Sequence, residues 1–268
     1  MKKLNQFIKN ILINNNLSLS RFDKNKVKIF LEKINIIDSG HKLIRIGANT
    51  DGGYLIPNIL DQIQYCFSPG VGQSVTFEDH LLKYNIKSFL ADGTVNYNGN
   101  HDFTKKNLNI FNDDKNITLE DWINEKLPPL DNKLNNKLLL QMDIEGCEIK
   151  ILYDVSLECL DRFKIIVIEF HHFNEIFKSV GLKVYNDLFD KILKTHNIVH
   201  IHPNNYSNTI NFFNNKISEL YEITFINKKD CKYIKKIDYN LPHKLDHKCD
   251  PSLIDVKCPE IFYKYKVK

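Results

Sequence analysis

The sequence predicts an α/β fold built on a parallel sheet covered on both faces, and three observations predict it. Strand-like and helix-like segments alternate at the spacing of βαβ units. The central strand candidates are continuously apolar rather than alternating, as strands buried on both faces are. Polar residues collect where these runs end, and the carboxyl ends of the strands are where such sheets hold ligands.

Taken in order, residues 3–36 carry Leu4, Phe7, Ile8, Ile11 and Leu12, then Val27, Ile29, Phe30 and Ile34, at helical spacing. They read as two amphipathic helices with a polar break near 14–20. Such helices can cap the core, form a homodimer or rest on a membrane surface; packing on the core is the default. In RIGANTDGGYLIP (45–57), Asp51-Gly52-Gly53 is a turn between two short apolar segments. QYCFSPGVG (64–72) is a strand running into a glycine loop. SVTFEDHLLKY (74–84) opens a helix with Ser74 or Thr76 as cap and Glu78 and Asp79 in the first turn.

IKSFLADGT (86–94) is a second strand ending in an acid and a glycine. NITLEDWINEKL (116–127) is a helix capped by Thr118 and stopped by Pro128-Pro129. KLLLQMDIEG (137–146) is a third strand, followed by a helix in CEIKILYDV (147–155) that Glu145 is expected to open. FKIIVIEFHH (163–172) is a fourth strand, residues 175–196 a helix, and NIVHIHPNN (197–205) and ELYEITFINKK (219–229) the last strands. No linker or internal repeat divides the chain. The expected division is a helical extension over 1–40 and a single catalytic domain over 41–268.

The net charge of +4 arises from 37 Lys+Arg against 33 Asp+Glu spread along the chain, so no basic stripe suits a nucleic-acid backbone. The six cysteines show no CxxC pair and no zinc-type spacing, which suits reduced, buried thiols. The N-terminal MKKLNQFIKNILINNN lacks the apolar run of a signal peptide and is too short to span a bilayer. A soluble, cytoplasmic protein without a transmembrane segment is expected.

The loop Ser68-Pro69-Gly70-Val71-Gly72 lets the backbone turn sharply and approach a nucleotide-like ligand. A dinucleotide fingerprint would need glycine at position 75, where Val75 stands. Asp92 ends the next strand about 20 residues on, where an acid accepts hydrogen bonds from ribose. The pair points to an adenosine-bearing cofactor; an ordinary turn, with Asp92 capping the Gly93 bend, is the plainer alternative.

Asp143, Glu169 and His171 end the third and fourth strands. Converging carboxylates repel unless something positive lies between them. Oxygen ligands with one imidazole suit Mg²⁺ or Mn²⁺. The alternative gives them separate tasks, with Asp143 on loop amides and Glu169 paired to a basic residue. For His172 a rim position is the commoner fate, and a proton relay or substrate contact the rarer one.

TLEDWI followed by LLLQMDIEGCEIKIL and IIVIEFHHF resembles the FkbM-type methyltransferases, whose hallmark reads K-x-D-[IV]-E-G-x-E. TDGGYLIP and SPGVGQSVTFED resemble a branch found beside polysaccharide-synthesis functions, and HIHPNNY and ELYEITFINK match its closing strands. The resemblance runs from about residue 40 to the last strand. It departs at Gln141, where the hallmark has lysine, and at Pro69 before the glycines.

The resemblance implies a Rossmann-like class I fold with a seven-stranded, mostly parallel sheet and S-adenosylmethionine as cofactor. Gly70 and Gly72 would lie near its methionine part, with Ser68 beside them. Asp92 with Gly93 would meet the ribose, and Asp143 would stand near the reactive methyl. Asp51 and Gly53, from the earlier turn, would line the cofactor or substrate side. A cation on Asp143, Glu169 and His171, with Glu145, His171 or His172 as general base, would activate a hydroxyl. The acceptor implied is a sugar, nucleotide-sugar or glycan of surface polysaccharide (capsule or lipopolysaccharide type). The competing readings are an NAD(P)-dependent oxidoreductase, a nucleic-acid methyltransferase and a non-catalytic binding subunit.

Overall fold

A computed structural model describes residues 21–72, 74–127 and 137–264. The first of the two N-terminal helices and the Pro128-Pro129 stop fall outside them. The second helix is α1 (Lys24–Lys33), whose N-terminus Asp23 caps by accepting from the amides of Asn25 and Lys26.

A hairpin follows, β1 (Leu43–Gly47) against β2 (Gly53–Pro57), turning at Asp51-Gly52 as the sequence predicts. Then come β3 (Tyr65–Pro69), α2 (Thr76–Leu82), β4 (Lys87–Ala91), a short β5 (Asp102–Thr104) and α3 (Leu119–Lys126). The chain continues through β6 (Leu138–Met142), α4 (Glu148–Asp154), α5 (Leu157–Asp161) and β7 (Phe163–Phe170). It closes with α6 (Ser179–Thr195), β8 (His196–Pro203) and β9 (Tyr221–Asn227).

The seven-stranded sheet has the order β8-β9-β7-β6-β3-β4-β5. Only β9 runs antiparallel to its neighbours, β7 and β8. This is the mostly parallel, Rossmann-like sheet that the resemblance implies. The order reverses between β3 and β6, which opens a crevice at their carboxyl ends.

Continuous apolar strands follow from the burial of both faces. Leu138, Leu140 and Met142 of β6 face one core layer with Phe67, Phe89, Trp122, Ile166 and Phe170. Leu139 faces the other layer with Cys66, Ile165 and Val167. Helices α1 and α3 to α6 cover the first face, where Phe30 of α1 meets the rings of Phe173, Tyr185 and Phe189. The hairpin and α2 cover the second through Ile46, Tyr54, Ile56, Phe77 and Leu81. Leu140→Ala, at a fully buried position, should destabilise the protein by about 2–5 kcal/mol in urea unfolding.

Several local expectations are corrected. Helix α2 has Val75 as its boundary residue, and neither Ser74 nor Thr76 caps it. With Val75 at φ −118°, ψ 31°, Thr76 already lies in the first turn and Ser74 lies one residue too early. Glu145 does not open a helix, since α4 begins at Glu148 after a tight turn. The expected helix over 175–196 is split into a 3₁₀ turn at Phe173–Phe177 and α6. Lys178, extended at φ −118°, ψ 140°, separates them, and Phe173 and Ile176 stay in the core. Strand β5, with only three residues, leaves no periodic pattern to find.

Candidate active site

Two adjoining clefts open at the carboxyl ends of β3, β4 and β6, and Gly70, Gly72, Asp143 and Glu145 line both. One, of about 220 Å³, continues over Asp51, Gly52, Tyr54 and Gln141. The other, of about 360 Å³, continues over Asp92, Thr94, Asn107 and Leu108. Sequence reasoning missed Asn107, which follows β5 in a segment without strand or helix signal. Its Oδ1 accepts from the Gly93 amide at 3.0 Å.

The loop after β3 is held by its backbone. Gly70 has φ +83°, and its amide donates to Ala91 O at 2.9 Å. Asp92 Oδ2 accepts from the Gly72 amide at 3.1 Å. Asp92 Oδ1 accepts from the Thr94 amide and hydroxyl, both at 2.6 Å. Burial pushes Asp92 upward, but the bonds from Thr94 and Gly72 outweigh it and hold its carboxyl below the usual value. Asp92 therefore stays ionised and fixes the glycine loop while bordering the larger cleft.

Two predicted cofactor residues have internal partners instead. Ser68 is fully buried, with its hydroxyl within hydrogen-bond reach of Glu78 Oε1 and Gln141 Oε1. Gly53 is enclosed in the hairpin against Ala48, and its neighbour Gly52 lines the cleft. Gln141 Nε2 donates to Tyr54 Oη at 3.4 Å, which links the second core layer to the smaller cleft.

The strand-end acids converge on His171. Its Nε2 lies 3.4 Å from Glu145 Oε2, 3.7 Å from Glu169 Oε1 and 3.9 Å from Asp143 Oδ1. Its Nδ1 lies 3.0 Å from Glu148 Oε1. That same oxygen accepts from the amides of Ile144 at 3.1 Å and Gly146 at 3.0 Å. Glu148 is thus the residue that shapes the turn after β6 and orients the imidazole. It is the last acid of the D-I-E-G-x-E segment, and that motif position was the signal available to identify it.

The backbone there is unusual. Glu145 and His172 both adopt left-handed conformations, at φ 55° and 56°. Each costs about 1–3 kcal/mol for a non-glycine residue, and such outliers gather at functional sites. The turn leaves Glu145 exposed beside His171, and His172 is exposed next to it. Tyr185 Oη donates to His171 O at 2.8 Å and so anchors the end of β7 to α6.

Burial raises the Asp143 carboxyl to about 7, against the pull of His171 and with help from Glu145 and Asp51. Burial, then Asp143 and Glu222, lift Glu169 well above the usual carboxylate range. Burial works against Glu148 as well, yet its bonds from His171 and the Gly146 amide hold it low. Burial opposes protonation of His171, but Glu148 and the surrounding acids raise its pKa. Asp143 Oδ1 and Glu169 Oε2 are both buried without a hydrogen-bond partner. Burial and mutual repulsion thus hold Asp143 and Glu169 toward their neutral forms beside His171.

Glu222 was missed because the direction of β9 is not written in its own composition. Run antiparallel, β9 brings its first residues to the edge where its neighbours end, and Glu222 pairs in register with Glu169.

The family model described as the methyltransferase FkbM domain matches residues 38–198 of the chain. No curated protein matches the chain.

Proposed function

The chain belongs to the FkbM methyltransferase family, and from that premise we propose that it methylates a sugar hydroxyl with S-adenosylmethionine, assisted by Mn²⁺ or Mg²⁺. The acceptor is a free, nucleotide-linked or polymeric sugar of surface polysaccharide. The observation that carries this reading is one wall, made of Gly70, Gly72, Asp143 and Glu145, shared by two clefts. One cleft carries Asp92 and the other carries Asp51 and Tyr54.

The residues fit the cofactor. Open space lies in front of Gly72, and the ionised Asp92 borders the larger cleft where ribose hydroxyls would be held. The unpartnered Asp143 oxygen suits the cationic end. When bound, S-adenosylmethionine supplies a methyl carbon already activated by its sulfonium. The chain's own task is to place a hydroxyl oxygen in line and to take up its proton.

His171 is the base in this reading, because Glu148 fixes its Nδ1 and leaves Nε2 toward Asp143, Glu145 and Glu169. The carboxylates raise its affinity for a proton. Asp143 and Glu169 would hold the divalent ion, which would lower the pKa of the acceptor hydroxyl and leave His171 Nε2 free to take its proton. Their buried, unpartnered carboxylate oxygens fit a hard cation. Asp51, Gln141 and Glu145 give the smaller cleft the hydrogen-bonding lining that a sugar needs. The reading includes a cytoplasmic location; among the described residues no helix is long and apolar enough to cross a membrane.

S-adenosylhomocysteine should raise the melting temperature and NAD should not, since only a ligand of the folded state stabilises it. The reverse result favours an oxidoreductase. Methyl transfer to a panel of nucleotide-sugars and glycans should fall in EDTA and return with Mn²⁺ or Mg²⁺. Full turnover in EDTA removes the cation from the mechanism.

A further inference from the structure

The geometry points to a second metal site, for Zn²⁺, formed by His202, Glu222 and Cys249. All three lie beyond the matched residues 38–198, so the family assignment does not cover them. They are buried, and their ligand atoms lie within 4.8 Å of one another. His202 Nδ1 is 3.3 Å from Glu222 Oε2, and Cys249 Sγ is 3.0 Å from Glu222 Oε1. Around tetrahedral zinc, with bonds of about 2.0–2.3 Å, neighbouring donor atoms stand roughly 3.3–3.8 Å apart, so small side-chain rotations suffice.

The second ring nitrogen of His202, Nε2, is buried without a hydrogen-bond partner. The ring nitrogen that faces the carboxylate is Nδ1, and that is the atom the ion would take. The donor set selects the ion. A thiolate with an imidazole favours zinc over Mg²⁺ or Mn²⁺, which suit the oxygen-rich cluster around Asp143. The charges close as well, because Zn²⁺ balances one thiolate and one carboxylate once the Cys249 proton is released.

The ligands sit on prepared backbone. Glu222 pairs in register with His202 on β8. Cys249 O accepts from the Asp51 amide at 3.3 Å. Next to Cys249, Asn205 and Asp250 exchange bonds: Asn205 Nδ2 donates to Asp250 O at 2.8 Å, and the Asp250 amide donates to Asn205 Oδ1 at 2.9 Å. Zinc at this point fastens the segment after β9 across the strand ends, beside Glu169. Three protein ligands leave a fourth position for water.

Cobalt substitution of the full chain tests the site independently of turnover. Protein stripped with a chelator and reloaded with Co²⁺ should bind about one equivalent and show thiolate-to-cobalt charge-transfer absorption in the near ultraviolet. Cys249→Ser should abolish that absorption and Glu222→Gln should weaken cobalt binding at least tenfold. Cys147→Ser, at an exposed thiol, and Asp143→Asn, in the oxygen-rich cluster, should retain the band. Absence of the band in folded wild-type protein, or its survival in Cys249→Ser, overturns the site and leaves a hydrogen-bonded cluster.

Discussion

Asp143→Asn should lower methyl transfer by about 10²–10³-fold, the scale of removing one preorganised electrostatic group from a reacting centre. The same substitution should stabilise the ligand-free protein at alkaline pH. In the folded chain burial raises this carboxyl to about 7. In the unfolded chain it titrates near ~3.9. A raised carboxyl pKa means that the folded state prefers the neutral form, so ionisation costs stability.

The cost is absent below about pH 4, where the group is protonated in both states. It grows as pH rises and is complete above about 7, with a ceiling of about 4 kcal/mol at 1.36 kcal/mol per unit. A quarter of the Asp143 side chain is exposed, so solvent relieves part of it and a gain of about 1–3 kcal/mol is expected for Asn at pH 8. That corresponds to about 2–4 °C in melting temperature per kcal/mol. The advantage should shrink toward pH 5. Melting curves at the two pH values and a turnover assay check the prediction; unchanged turnover removes Asp143 from the site.

Gly70→Ala should be the most damaging single change in the cofactor loop. A Cβ at this position would stand 1.6 Å from Asp143 O and 2.6 Å from Asp143 C, both backbone atoms of the chain leaving β6. The left-handed φ of +83° adds about 1–2 kcal/mol for any L side chain. Relief requires β3 and β6 to part at the crevice, so a loss of about 3–5 kcal/mol is expected, together with stabilisation by S-adenosylhomocysteine. Gly72→Ala serves as control. Its φ of +54° carries the conformational cost, but nothing lies within 4 Å of the new Cβ. It should remain folded and lose only about 1–2 kcal/mol. Equal melting temperatures for the two variants contradict the packing argument.

Most of the sheet was legible because burial on both faces leaves a mark within a few residues. Leu138 to Leu140 and Ile165 to Ile168 must all be apolar, since successive side chains enter opposite core layers. The cap at Thr118 was equally local: its hydroxyl accepts from the amide of Asp121, three residues on. Where the local rule had competitors it failed. Ser74 and Thr76 both offered a hydroxyl, yet the path from the glycine loop set the boundary at Val75.

The convergence at His171 was legible only in part. Asp143, Glu169 and His171 could be grouped because neighbouring parallel strands end side by side. Glu148 could not be ranked above Glu145, because the turn decides which carboxylate faces inward. With Glu145 in the left-handed region, its side chain turns to solvent and Glu148 takes the Ile144 and Gly146 amides. Nor did cysteine spacing point to Cys249, whose neighbours His202 and Glu222 lie far away in sequence.

The sequence by itself determined the alternation of strand and helix, the glycine turn after β3 and the acids at the strand ends. Side-chain period and turn chemistry act over a few residues, so the sequence alone carries them. Only the tertiary structure decided that β9 runs antiparallel and delivers Glu222 to the site, that Glu148 rather than Glu145 holds His171, and that Asp143 ionises near neutrality. Those outcomes depend on charges a few ångströms apart whose residues are distant along the chain. Their energies are set by the desolvation and mutual repulsion that folding imposes.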